Sequence, residues 1–416
     1  MNLTAQFQSA KDASRQLARV QDDVINGVLQ KLATNLEKDT PVILATNGKD
    51  TAKMRSEDPK FDRLLLTKER INNIAKDVRA VAKLPSPVGK ILEERTRPNG
   101  LHLQKISTPL GVIGIVYEAR PNVTVDSFAL CFKTRNACIL KGGSDAAASN
   151  DAIVATIRRT LREAGLPEDC LVLLPPDRSA VAELLHARGF VDVVIPRGGQ
   201  KLIEFVREEA SIPVIETGAG IVHIYIDASA DISMAASVIF NAKTRRPSVC
   251  NAVDTVLVHK DMLPKLIDIV APLREKDVRI FADERAFKHL EGAYDKALLE
   301  RAKEEHFGTE FLSLRMSIAT ADDLDAALAH IRKYSSAHSE SIIAKDDAMI
   351  ERFLREVDAA AVYANASTAF TDGGEFGMGA EIGISTQKLH VRGPMGLEAL
   401  TSYKWVVRGK GQVRKP

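Results

Sequence analysis

The 416-residue sequence predicts an α/β protein with two doubly wound lobes and a small β arm, and three observations carry that reading. From Gly111 onward, short β-branched runs alternate with helical stretches, the pattern of parallel strands covered on both faces. After Asp231 the alternation starts afresh, which divides the series in two. The stretch LTSYKWVVRGKGQVR near the end carries an extended run suited to an edge strand. Length alone points the same way, because a chain of this size exceeds one hydrophobic core.

Ahead of the first strand, apolar residues recur at helical spacing from Leu3 to about Leu84, as in Leu17, Val20, Val24, Val28, Leu29 and Leu32. Interruptions near Asp39 to Pro41 and Asp58 to Phe61 divide this helical layer. The first series then runs GVIGIVY, a helical DSFALCFKTRN, ACILKGG, a helix from about Ser144 to Glu163, and CLVLLPP. It continues with a helix near Ala180 to Ala187, the strand VDVVI, a helix from Gln200 to Glu209, and the strands PVIE and IVHIYID. In the second series the helix ISMAASVIFNAK leads through the loop TRRPSVCN to the strand AVDTVLVH. The helix MLPKLIDIVAPL, the strand VRIFA and two further helix and strand units ending at AAVYANA complete it. The glycine-rich, apolar-poor TDGGEFGMGAEIGIS reads as a loop by which the chain returns. The strand-like tail is expected to pair with another subunit or with a hairpin around Leu101 to Ile106.

Composition excludes several classes. Lys and Arg total 57 against 55 Asp and Glu, so a net charge of +2 provides no field to select nucleic acid or an anionic membrane. The N-terminal stretch lacks the apolar run of a signal peptide and no later run reaches transmembrane length, so cytoplasmic residence is expected. Four cysteines at irregular spacing make no disulfide framework or paired zinc motif, and nine scattered histidines make no HExxH, so no metal is expected.

Cys250 differs from the other three cysteines. TRRPSVCNAVD puts it in a turn-like loop before an apolar strand, with Arg245 and Arg246 just upstream, and nearby cations favour thiolate. Cys131 lies on an apolar helical stretch, and Cys138 and Cys170 flank ILK and LVLL, where burial suppresses reactivity. In PRGGQK, Arg197, Gly198 and Gly199 follow a strand and precede a helix, a topology that suits a pyrophosphate or a ribose. No GxGxxG opens a helix after a strand, which argues against an ordinary Rossmann dehydrogenase.

The ordered stretches PLGVIGIVYEARPN, NACILKGGSDA, IETGAG, PSVCN and MGLEALTSYK resemble the aldehyde dehydrogenase superfamily over most of the chain. VYEARPNVTVDSFAL and AEIGISTQKLHVRGPMGLEALTSYK look specifically like the branch that reduces L-glutamyl 5-phosphate to L-glutamate 5-semialdehyde, the second step of proline biosynthesis from glutamate. The resemblance implies an aldehyde dehydrogenase-like α/β fold. Residues 1–220 would hold the N-terminal helices and a dinucleotide-binding domain, with a hairpin near 98–108 in an oligomerisation arm. Residues 221–365 would form the catalytic domain, and 366–416 would return to the cofactor domain and the arm.

It further implies that Cys250 forms a thioester with the acyl group and that Asn122 serves the oxyanion hole, against the alternative that Asn122 merely caps the next helix. Lys141, with Gly142, Gly143 and Ser144, matches the place where the superfamily holds the adenosine ribose. NAD-preferring relatives commonly carry a glutamate three residues beyond that lysine. Ser144 there is neutral and implies NADPH, whereas a plain strand-end charge is the alternative for Lys141. Glu216 matches the water-activating glutamate of hydrolytic members, although Thr217 and Ala219 alter the surrounding motif. Arg245, Arg246, Lys388, His390 and Arg392 are candidate anchors for the substrate carboxylate and phosphate. A homodimer or homotetramer and association with the upstream glutamate kinase complete the implied partners. The rival readings are another superfamily activity, on a different acyl phosphate, acyl-CoA or aldehyde, and a noncatalytic dinucleotide-binding scaffold.

Overall fold

The computed structural model describes residues 3–58 and 61–414, so Pro59 and Lys60, inside the second expected helix break, lie outside the described residues. The chain divides into two compact units. Unit 1 comprises residues 1–217, 377–383 and 395–416, and unit 2 comprises 218–376 and 384–394. Residues 366–376 and 384–394, expected with the returning segment, thus group with unit 2. Hydrogen bonds from Asn251 to the carbonyls of Ala369 and Thr371 account for the first of these.

Unit 1 opens with helices at Thr4–Leu17, Asp22–Lys38, Thr40–Thr51, Phe61–Leu64 and Lys68–Lys83. Helix Asp22–Lys38 buries Ile25, Val28, Leu29, Leu32 and Leu36 along one stripe, while Val24 of the expected series falls off that stripe and is exposed. Strands β1 (Ile91–Thr96) and β2 (His102–Pro109) then form an antiparallel hairpin. Strands β3 (Val112–Tyr117), β4 (Ala137–Lys141), β5 (Leu171–Leu173) and β6 (Val193–Arg197) form a parallel sheet in the order β5-β4-β3-β6. Helix Thr4–Leu17 covers it, with Leu3 and Phe7 packing into one core with Val112, Val116, Ile139 and Val194. The PVIE segment is not a strand, since only a single bridge joins Val214 to Val194.

Unit 2 is built on a seven-stranded parallel sheet of β7 (Val222–Ile226), β8 (Val253–His259), β9 (Arg279–Ala282), β10 (Leu299–Arg301), β11 (Arg315–Ala321), β12 (Ser339–Ile343) and β13 (Ala361–Ala364). Its order is β10-β9-β11-β8-β7-β12-β13. Alternation along β7 and β8 sends Ile224, Ile226, Val256 and Val258 into one core and Tyr225 and Leu257 into another, so both faces are covered. Four strands rather than two follow VRIFA, because β10 has only three residues and the helix before β11 only four. The expected helix MLPKLIDIVAPL is broken into a 3-10 turn, a short α-helix and another 3-10 turn, with Pro264 and Pro272 in the flanking turns.

Two short strands, β14 (Ile384–Ser385) and β15 (Gly393–Pro394), pair antiparallel. The chain ends on β16 (Thr401–Arg408), which runs antiparallel to β2 from Thr401 opposite Pro109 to Arg408 opposite His102. The tail therefore pairs with the hairpin, one of its two expected partners. No described helix is long and apolar enough to cross a membrane.

Candidate active site

Cys250 lies in the turn between helix Ile232–Thr244 and β8 and is half-buried, whereas Cys131, Cys138 and Cys170 are buried. Burial raises the Cys138 thiol well above its ordinary value and pushes that of Cys170 up to about 12. Arg245 and Arg246 are exposed on the same loop. The turn is fixed from two directions. Asn251 Nδ2 donates to the carbonyls of Thr371 at 3.0 Å and Ala369 at 3.3 Å, while the Thr368 hydroxyl donates to the Asn251 carbonyl at 2.8 Å. On the other side Gly220 approaches so closely that a Cβ there would overlap the Cys250 carbonyl oxygen and lie 2.8 Å from its Cα.

The segment beneath the turn is held by side chains. The N–H groups of Gly220, Ile221, Val222 and His223 are taken in succession by Glu310 Oε1 (2.9 Å), Ser336 Oγ (2.9 Å), Asp254 Oδ2 (3.4 Å) and Glu340 Oε2 (2.9 Å). Four consecutive donors with side-chain acceptors make this a rigid support for the Cys250 turn.

In unit 1 the sheet gathers the other candidates at the carboxyl edge of neighbouring strands, where open α/β sheets bind ligands. Lys141 ends β4, and Gly142, Gly143 and Ser144 follow it. Asn122 is the second residue of the helix after β3, and Arg197 ends β6. Gly142 and Gly143 line a cavity of about 200 Å³ with Gln6, Ala147, Asn150, Asp151 and the β5 exit at Leu174 to Pro176. A Cβ on Gly142 would overlap the Asn150 amide nitrogen and come within 3.1 Å of Tyr117 Oη, so the backbone can pass there only as glycine. Lys141 is buried with Nζ donating to the Gly142 carbonyl at 3.0 Å, and burial lowers its pKa. It is not a solvated strand-end charge.

The loop after β6 is different. Gly199 begins the helix Gln200–Glu209, and its N–H donates to Glu118 Oε2 at 3.1 Å, so a carboxylate of the chain itself occupies the anion position at that helix start. Asn122 is not a helix cap, because Arg120 occupies the cap position and Asn122 Nδ2 donates to Asp126 Oδ2 at 3.0 Å.

Sequence and structure comparisons assign the fold to a family. The profile of the aldehyde dehydrogenase family matches residues 2–279. A gamma-glutamyl phosphate reductase of Chlorobium limicola is 58% identical over 98% of both chains, and one of Legionella pneumophila is 54% identical over 99% of both. The chain belongs to the aldehyde dehydrogenase family, in its gamma-glutamyl phosphate reductase branch. The crystal structure of a gamma-glutamyl phosphate reductase from Thermotoga maritima superposes with a TM-score of 0.96 at 42% identity, covering all of both chains.

Relative to what membership of this family leads one to expect, several basic candidates are already engaged. Lys388 Nζ and Arg392 Nη1 both reach Asp358, at 2.5 and 2.6 Å, and Arg392 Nη2 adds a bond to the Asp358 carbonyl at 3.0 Å. His390 lies between them on the β14–β15 loop of unit 2. Glu216, in unit 1, is 3.6 Å from Arg207.

Sequence reading missed the buried pair that brackets Cys250. Lys243, in the last turn of the helix before Cys250, is fully buried, and its Nζ lies 3.8 Å from Asp254 Oδ1 on the strand after it. Asp254 also accepts from Phe311 N at 3.0 Å. Burial pushes Asp254 up to about 6 and Lys243 down to about 8, with each partner's charge opposing the shift of the other. Removing one partner strands the other in a dry site. Asp254→Asn is expected to destabilise the fold by about 3 kcal/mol in urea denaturation. The double variant Asp254→Asn with Lys243→Met should recover a measurable part of that loss.

Proposed function

We propose that the chain catalyses NADPH-dependent reduction of L-glutamyl 5-phosphate to L-glutamate 5-semialdehyde and phosphate, the second step of proline biosynthesis from glutamate. The observation that carries this reading is the accessible Cys250 on its rigid turn, in a chain more than half identical to gamma-glutamyl phosphate reductases.

The Cys250 thiolate attacks the acyl carbon; the C–O bond to phosphate breaks and a thioester forms. A bound nicotinamide dinucleotide supplies the hydride. Asn122 stabilises the resulting thiohemiacetal oxyanion through its amide N–H. Collapse of the oxyanion breaks the C–S bond, frees the aldehyde and regenerates the thiolate. Glu216 has no necessary step in this sequence, since water attack on the thioester would discard the activated acyl group; its place is proton handling at most. Arg246, exposed beside the nucleophile, is the first candidate for the substrate's anionic groups. Lys388 and Arg392 serve that end through the segment they order around Asp358, with His390 between them in sequence.

The cavity at Gly142 and Gly143 is the candidate seat for one end of the nucleotide, lined by Leu174 to Pro176 together with Asn150 and Asp151 and by a glycine turn through which backbone can approach closely. Lys141 and Ser144 favour NADPH, because a 2′-phosphate meets a cation and no carboxylate at Ser144. Arg197, Gly198 and Gly199 lie on the neighbouring strand exit and contribute to the wall of the dinucleotide site; Glu118 at Gly199 favours a ribose hydroxyl there over a phosphate.

Purified protein supplied with the semialdehyde and inorganic phosphate should reduce NADP faster than NAD, and omission of phosphate should abolish turnover. Ser144→Glu should raise the KM for NADP by about tenfold or more through charge repulsion, leaving NAD little affected. Equal rates with both dinucleotides in both proteins would remove the NADPH assignment, and phosphate-independent oxidation would point to a different family activity.

A further inference from the structure

Helix Pro121–Lys133 is buried along its length except at two positions, Asn122 and Asp126. Four residues apart, these two share one face of the helix, and the bond from Asn122 Nδ2 to Asp126 Oδ2 joins them. The face that reaches solvent thus presents the amide assigned to the reacting carbonyl and, one turn on, a carboxylate. Two other charges face Asp126, Asp77 from helix Lys68–Lys83 and Arg197 from the end of β6. Lys76 draws Asp77 down and Arg197 draws Asp126 down, so each carboxylate has a cation in its field. Withdrawal from water pushes Asp126 up to about 6, the Asn122 bond and Arg197 draw it down, and Asp77 raises it further. A carboxylate in that state is stabilised by any cation delivered to it.

We propose that Asp126 receives the α-ammonium group of the amino-acid substrate and is a specificity-determining residue of the enzyme. The spacing suits this role. The side-chain ends of Asn122 and Asp126 lie 3.0 Å apart, and the nitrogen of an extended glutamyl chain lies roughly 5 Å from its carbonyl carbon, so one substrate molecule can reach both groups. A substrate whose carbonyl oxygen is held by Asn122 therefore carries its ammonium alongside Asp126. The assignment rests on the reading of Asn122 as the oxyanion donor. It explains why a carboxylate stands on the helix face next to a site that develops negative charge, where it would otherwise oppose the reaction.

The test compares glutamate 5-semialdehyde with 5-oxopentanoate, which has the same carbon chain and carboxylate but no amine, in phosphate-dependent NADP reduction. Wild-type protein should prefer the amine-bearing substrate by about 100-fold in kcat/KM, the penalty for leaving a buried polar group without its partner. Asp126→Ala should bring that ratio to within about tenfold, because KM rises far more for glutamate 5-semialdehyde than for 5-oxopentanoate. Asp126→Asn, nearly identical in shape, should give the same collapse of preference with an unchanged melting temperature, which separates recognition from folding. Asn122→Ala should instead depress both substrates together through kcat. An equal loss on both substrates in the Asp126 variants would overturn the proposal and leave Asp126 as a prop for Asn122. Wild-type protein inactive on both would sink the underlying reading of the function, and this assignment with it.

Discussion

Cys250→Ser is expected to lower phosphate-dependent NADP reduction by at least about 1,000-fold with little change in melting temperature, because the substitution removes the proposed nucleophile and almost no packing. A serine hydroxyl is far less acidic than a thiol and would need a general base to attack an acyl phosphate. The other cysteines cannot take over. All three are buried, and the thiols of Cys138 and Cys170 are held far from ionisation near neutral pH. Iodoacetamide at pH 8 should accordingly modify Cys250 first and inactivate in step with that single modification. A serine variant retaining more than a tenth of wild-type turnover would exclude covalent catalysis through this sulfur.

Gly220→Ala should have the second largest effect. The new methyl would overlap backbone, the Cys250 carbonyl, and backbone on both sides of the contact is pinned. Gly220 N is bonded to Glu310, the next three N–H groups to Ser336, Asp254 and Glu340, and the Cys250 turn to Thr368, Ala369 and Thr371. Neither side can yield without breaking buried hydrogen bonds. We expect a loss of about 3 kcal/mol or more in denaturant unfolding, or, where the turn moves instead, a fall of about 100-fold in kcat with the dinucleotide KM preserved. A variant with wild-type stability and wild-type kcat would show that the turn has slack the packing denies. Alanine at Gly48, where an added methyl meets nothing within 4 Å, is the matching control.

Hydrophobic spacing made most of the architecture legible, since both parallel sheets bury strands on two faces and such strands read as continuous apolar runs. The helix Gln200–Glu209 and the strands around Val112, Ala137 and Val253 fall where that pattern puts them. Polar residues in buried positions hid the rest. Strand β12 begins Ser-Glu-Ser, yet all three side chains are buried, because Glu340 is committed to the His223 N–H and to the Ser335 hydroxyl. Nothing local announces such a strand.

The partial exposure of Cys250, against the burial of the other three cysteines, was legible from its loop context. The support of that loop was not, because Lys243 and Asp254 stand on opposite sides of the Cys250 turn and meet only when helix and strand pack. Asn122 and Asp126 differ again. Their four-residue spacing was visible, but whether that face opens to solvent depends on what covers the rest of the helix, and this is a property of the fold.

The antiparallel ladder between β2 and β16 joins residues 102–109 to residues 401–408. During synthesis on the ribosome every residue of the seven-stranded sheet is made before β16 exists, so unit 2 can reach its own core while unit 1 still lacks a strand. Sequence separations near 300 residues make that last pairing slow relative to the local contacts formed earlier. The nascent chain therefore passes through a stage in which the β1–β2 hairpin waits with an open edge, and β16 is the strand that closes it.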